Sequence, residues 1–145
     1  MGFNYRMTDL QGAVGLVQLG RLDGLLEGRR RLAAAYDEQL AELDWVQAPV
    51  VPDGYAHSWQ AYVCLVAEDA PSPRNEVMER LHERGVSTRP GTHAVSELGF
   101  YRKHLPDAVG AAPRAAQLQE RTLALPLHNA MDVDDVSYVV DCLRE

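Results

Sequence analysis

Between Thr8 and Leu43 the apolar residues Leu10, Val14, Val17, Leu22, Leu25, Leu32, Tyr36, Leu40 and Leu43 recur at helical spacing, and Gly12, Gly15, Gly20, Gly24 and Gly28 fall inside the same pattern. A glycine in a helix interior costs up to about 1 kcal/mol relative to alanine, so a chain that keeps several there needs compensation. One reading is a single long helix whose first half makes a close backbone approach to another helix, which could come from a second subunit. The other is a break between Gly20 and Gly28 that separates two nearly collinear helices. Thr8 and Gln11 have the spacing of a capping box, which sets Asn4 and Arg6 just ahead of a helix N-terminus.

Downstream the periodicity changes. His57 to Val66 alternates Trp59, Ala61, Val63 and Leu65 against Gln60, Tyr62 and Cys64, the signature of a strand. Ser72 and Pro73 predict a capped helix start with proline at its first position; Val77, Met78 and Leu81 would form its inner face and Gly85 would end it. Residues 86–89 read as a short strand ending at Pro90, and 91–105 as loop with short helical turns. Pro113 to about Leu123 predicts a helix and "ALPLH" an extended piece. Asp132 and Asp135 cap a last helix through Val136, Val139, Val140 and Leu143. The expected fold is an α+β (α/β) sandwich: a long N-terminal helix plus a small, mainly antiparallel sheet covered by helices. Residues 1–43 would form a linking or interface region and 44–145 a small α/β domain.

Composition narrows the function classes. A chain of 145 residues can bury about two thirds of its unfolded surface as one domain. A net charge of −7 disfavours capture of a nucleic-acid backbone, which requires clustered Lys and Arg. The one basic run, Arg29 to Arg31, reads as a solvated helix face with Glu27 and Glu38 nearby. No apolar run reaches the length of a membrane span, and the first residues lack a signal-peptide layout, so the expected location is the cytoplasm. Cys64 and Cys142, far apart and in apolar contexts, read as buried free thiols.

The residues offer little explicit chemistry. No histidine pair has metal-helix spacing, no serine sits in a G-x-S-x-G elbow, and Gly12 and Gly15 match no phosphate-binding loop, so neither a metal site nor a catalytic residue is nominated. An asparagine amide and a guanidinium before a helix start could form an anion cradle. An arginine there could equally serve an interface or a capping ion pair. Thirteen of the fourteen basic residues are arginine, and Lys103 is the sole lysine.

Gly2, Asn4, Arg6, Met7, Thr8, Asp9, Leu10, Gln11, Ala13, Gly15, Gln18 and Leu19 together resemble the G-x-N-x-R-M motif, continuing into T-D-L-Q-A-A-x-G-x-x-Q-L, of the DegT/DnrJ/EryC1/StrS family. These are sugar aminotransferases that use pyridoxal phosphate (PLP). "RRRLAAAYDEQL" at 29–40, "HSWQAYV" at 57–63, "LHERGVSTR" at 81–89 and "ERTLALPLHNAM" at 120–131 extend the resemblance over essentially the whole chain. It implies the C-terminal portion of a fold type I aminotransferase, with Met1 expected to mark a fragment boundary. The large domain that carries the cofactor lysine, the aspartate for the pyridine nitrogen and most phosphate ligands would lie upstream. Lys103 matches no cofactor motif, so no covalent cofactor is expected on this chain, which alone should be inactive.

By position, the resemblance gives Asn4 the role of reaching the cofactor phosphate of the other subunit in a homodimer, with Arg6 nearby as loop support or substrate contact. Arg89 and His93 become the candidates for a phosphorylated or acidic substrate, and His128 a further candidate facing the site or a structural histidine. "STRPGTHAVSELGFYRKH" departs from the family's commoner pattern after the equivalent of Gly85, which leaves the ketone open between sugar nucleotides and other ketones such as cyclitols. The implied activity of the full enzyme is transfer of an amino group from an amino acid, commonly glutamate, to such a ketone. The alternative is an autonomous, non-catalytic dimerisation or ligand-binding module derived from the family.

Overall fold

A computed structural model describes residues 5–145 and divides the N-terminal helical pattern in two. Helix α1 (Asp9–Leu19) begins at the expected capping box: Thr8 Oγ1 accepts the Gln11 backbone N–H at 3.3 Å, and the Thr8 N–H donates to Gln11 Oε1 at 3.0 Å. It ends at Gly20, and helix α2 (Leu22–Leu40) starts after Arg21, so the break is the correct alternative. No residue of α1 is buried, and a Cβ at Gly15 would meet nothing within 4 Å. The close helix contact expected of these glycines is therefore absent among the described residues.

Four strands follow, β1 (Val46–Gln47), β2 (Tyr62–Val66), β3 (Arg89–Pro90) and β4 (Thr122–Leu125), with helices α3 (Arg74–Glu83), α4 (Gly99–His104), α5 (Pro113–Arg121) and α6 (Val133–Arg144) between and after them. The sheet runs β1-β2-β4-β3 and every pairing is antiparallel, as the sequence pattern predicts. Tyr62 stands opposite Leu125 and Cys64 opposite Leu123, so one face presents Tyr62, Cys64, Val66, Leu123 and Leu125 to the helices. Leu32, Tyr36 and Leu40 of α2, Val77 and Leu81 of α3, and Val136, Val140 and Leu143 of α6 close that core. Burying each such side chain contributes about 1.5–3 kcal/mol, more than the glycines in α2 cost.

Three local expectations are corrected. The strand expected from His57 begins only at Tyr62, because Trp59 takes a left-handed backbone (φ 51°) that interrupts the alternation. Ser72 does not cap α3: Pro73 (φ −59°, ψ 150°) occupies the cap position itself, and Ser72 Oγ instead accepts a hydrogen bond from Arg80 at 2.9 Å. The strand expected over 86–89 pairs only at Arg89 and Pro90. At the other end of the chain, the Asp132–Asp135 box caps α6 as expected, with both bonds at 3.0 Å. Cys64 and Cys142 are buried free thiols.

The second face of the sheet is constrained at one point. The Gly91 N–H donates to Thr122 O at 3.0 Å, drawing that backbone so close that a Cβ there would stand 2.8 Å from Thr122 Cβ and well inside contact with Val63 Cγ1. Both neighbours are β-branched and stiff at χ1. Gly91→Ala should therefore destabilise the chain by about 1–3 kcal/mol in urea unfolding. A second prediction concerns alkali. Burial pushes the Cys64 thiol up to about 12 from an ordinary 9.0, and it also raises the Tyr36 and Tyr62 hydroxyls. The unfolded chain then releases protons that the folded chain retains. Stability is full below pH 9 and falls as pH rises towards 12, and Cys64→Ala should remove the part of the loss that begins near pH 9 in thermal unfolding at graded pH.

Candidate functional site

Beyond the Arg89–Ala124 pair, the register would continue with Thr88 opposite Leu125 and Ser87 opposite Pro126. Pro126 has no N–H to give, so the ladder cannot extend and the two chains part. Between them lies a cleft of about 230 Å³, with Ser87, Thr88 and Arg89 on one wall, 124–127 on the other, and Gln60 and Ala61 at one side. Among the described residues the Arg89 guanidinium has no hydrogen bond or ion pair, and no carboxylate lines the cleft. Its polar equipment is one cation, two hydroxyls and an amide.

Helix α2 holds the 124–127 wall and the Gln60 side of the cleft. Arg29 Nη1 donates to Trp59 O at 2.7 Å, Gln60 O at 3.1 Å and Leu127 O at 3.3 Å, while Tyr36 Oη donates to Pro126 O at 2.9 Å. Trp59 is fixed from three sides. Its N–H donates to His57 Nδ1 at 2.8 Å, its carbonyl takes Arg29, and its ring packs on His57 at 4.4 Å and Tyr62 at 5.7 Å. Behind it Tyr62 Oη donates to Asp37 Oδ1 at 2.6 Å; burial first, then this hydrogen bond, holds the phenol above its ordinary range. The reading of Arg29 as part of a solvated face is thus wrong for that residue, whose guanidinium turns inward to carbonyls; Arg30 does pair with Glu27 on the surface, at 3.4 Å.

The other expected site residues are spread over the molecule. Asn4 lies outside the described residues. Arg6 borders, with Met7, Gln11 and Gly15, a wide hollow of about 680 Å³ beside α1. His93 is exposed just past β3 and lines none of these cavities, although the next residue is tied down where the Ala94 N–H donates to Gln119 Oε1 at 2.8 Å. His128 lines a separate groove of about 580 Å³ with Asp135 and Tyr138. Ser87 and Pro126 line both that groove and the cleft, so they stand between His128 and Arg89. Lys103 is exposed on α4. No group of three or more His, Cys, Asp or Glu able to hold a metal occurs among the described residues, and no helix there is long and apolar enough to cross a membrane. Arg29, Gln60, Ser87 and Thr88 escaped sequence reading; the proline at 126, facing a predicted strand, was the available signal.

With this geometry in hand, the comparisons are specific. Residues 1–144 match the DegT/DnrJ/EryC1/StrS aminotransferase family, and the chain belongs to that family. It is 33% identical over 146 residues to the spore coat polysaccharide biosynthesis protein SpsC of Bacillus subtilis (strain 168), covering 99% of this chain and 38% of the relative. It superposes on the aminotransferase TlmJ from Streptoalloteichus hindustanus with a TM-score of 0.76 and 31% identity, over 99% of this chain and 38% of that one. For the putative sugar aminotransferase Spr1654 from Streptococcus pneumoniae, in a PLP form, the TM-score is 0.83 at 26% identity, over 94% and 34%. The chain thus spans somewhat more than a third of the relatives' length, and its fold is that of their matching C-terminal part.

If Arg29 ties the Gln60 side of the cleft to the 124–127 wall, Arg29→Met should cost about 1–3 kcal/mol in unfolding, since the half-buried carbonyls of Trp59 and Leu127 lose a charged donor. In a Trp45→Phe background the emission of Trp59 should shift; unchanged emission and stability would contradict this role.

Proposed function

We propose that this chain is the C-terminal part of a PLP-dependent aminotransferase that moves an amino group from an amino acid, glutamate in the first instance, to a keto sugar nucleotide or related ketone. Family membership over residues 1–144 carries the reading. In it, residues 1–43 link to a large domain and a second subunit, 44–145 form the small domain, and the enzyme works as a cytoplasmic homodimer. That arrangement would cover the apolar side chains of α1, among which Leu10 is 76% and Leu16 73% exposed. Nucleic acid has no part, given the net charge of −7.

The residues present fit one edge of the cofactor. Arg6 stands just ahead of a helix N-terminus beside an open hollow, chemistry suited to a phosphate, and Asn4 would add a neutral amide donor toward the cofactor of the partner subunit. Lys103, exposed on α4, borders neither this hollow nor the Arg89 cleft, so covalent attachment falls to the large domain. When bound, PLP would supply the carbonyl that exchanges amino groups and the electron sink beside it. Arg89 would bind and orient an anionic group of the substrate, with His128 contacting the substrate from the neighbouring groove and His93 from beyond β3.

Joining this chain to the large-domain portion of SpsC tests the reading. The chimera should release 2-oxoglutarate from glutamate in the presence of a keto-sugar nucleotide, whereas this chain alone should not. A chimera that folds and binds PLP yet never turns over would favour the non-catalytic module, whereas a specific, stoichiometric borohydride-trapped adduct on Lys103 of the chain alone would overturn the fragment reading and require a different active site.

A further inference from the structure

We infer that His57 is a positioning residue with a proton-dependent grip: its bare Nδ1 holds Trp59 in the left-handed conformation that precedes β2, and a second ring proton releases it. The inference goes beyond the aminotransferase reading and stands whatever reaction the full enzyme runs. Trp59 is the one non-glycine residue with positive φ among the described residues, at 51°. Such a conformation is strained and persists only where its surroundings enforce it. Two groups do so here. Arg29 of α2 donates to the Trp59 carbonyl at 2.7 Å, and His57 Nδ1 accepts the Trp59 N–H at 2.8 Å.

A peptide N–H can only donate, so Nδ1 presents its lone pair and the neutral ring carries its proton on Nε2. The imidazolium has an N–H on both nitrogens and accepts nothing. Protonation therefore does more than remove one bond: it sets two N–H groups against each other and adds positive charge beside a residue whose carbonyl already holds the Arg29 guanidinium. No acid offsets that charge. His57 is in no ion pair among the described residues, and the hollow of about 250 Å³ that it lines is bordered by Val50, Val51, Pro52, Tyr55 and Ala56. The other ionisable groups at this corner are the Tyr55 phenol on the same hollow and, from α2, Asp37, whose carboxylate accepts the Tyr62 hydroxyl at 2.6 Å. The imidazole is exposed and exchanges protons with bulk water, while the tryptophan it holds is buried and packs on Tyr62 at 5.7 Å. Once released, Trp59 returns to negative φ, and the movement carries Gln60 and Ala61 at the side of the cleft.

The test is an NMR titration of the isotope-labelled chain from about pH 8 to about pH 5, following the His57 ring nitrogens and the backbone amides of Trp59, Gln60 and Ala61. At the alkaline end the ring should show a bare Nδ1 and a protonated Nε2. On acidification the three amides should shift with the midpoint of the His57 ring. Two variants separate the grip from packing alone. His57→Asn should keep the bond, since an asparagine side chain can bond the backbone two residues on, and should leave the amides insensitive to pH. His57→Ala should hold them near their acid positions throughout, with hydrogen exchange at the Trp59 amide about fivefold faster than in His57→Asn at the same pH. Because His57 is exposed, neither substitution should prevent folding. In a Trp45→Phe background the Trp59 emission should move to longer wavelength as the parent is acidified and stay fixed in His57→Asn. Amides that ignore the His57 titration, a protonated Nδ1 at the alkaline end, or a His57→Asn chain that still titrates at Trp59 or behaves like His57→Ala would each overturn the assignment.

Discussion

One guanidinium organises the surface that matters in this molecule. Arg29 sits on α2 two turns before Tyr36, and from the same helix face the two side chains reach the carbonyls of Trp59, Gln60, Pro126 and Leu127. Those four carbonyls belong to two segments far apart in sequence, neither of which has a complete strand partner at that point. Without these donors, the half-buried oxygens of Trp59, Pro126 and Leu127 would be left unpaired, at a cost of up to about 1–3 kcal/mol each. Helix α2 thus does two jobs with one face: Leu32, Tyr36 and Leu40 close the core, and Arg29, one turn earlier, fixes the rim of the cleft.

The two halves of the N-terminal apolar pattern meet opposite fates for a reason of geometry. Residues in α2 find the sheet and α6 beneath them, so Leu32, Tyr36 and Leu40 are fully buried. Those in α1 lie beyond the break at Gly20, and none of them is buried. An apolar helix left in water is costly to solubility, and the family's greater length offers the cover that the proposed function assigns to a large domain and a partner.

The helices were legible because periodicity and capping are local. Thr8 with Gln11 and Asp132 with Asp135 mark two starts correctly, and Val136, Val139 and Val140 name the buried face of α6. Parity also predicted β2, though from His57 where the strand begins only at Tyr62. What sequence could not give was long-range. The two-residue β1 exists only because Val46 finds Val66 after the long connection 48–61. Arg29 looks like its neighbours Arg30 and Arg31 until the chain brings carbonyls to it from 30 and 98 residues away. Likewise Arg89 could be named as a candidate anion ligand from its residue type and family position, but the absence of any carboxylate along the cleft could not be read from sequence.

Places where a sequence departs from local rules need a physical explanation, and here they gather in one region. A bulky tryptophan held at φ 51°, a proline that halts a ladder after two pairs, and a glycine that a methyl group would jam lie along the margins of a single cleft and the strand beside it. A left-handed non-glycine residue alone costs about 1–3 kcal/mol. A domain selected only for its core would gain by continuing the β3–β4 pairing through Thr88 and Ser87, which would close the gap and satisfy more backbone groups. Keeping the gap open, with one wall braced by α2 and an unpaired arginine on the other, makes sense when another molecule's oxygens complete the hydrogen bonding that the sheet forgoes.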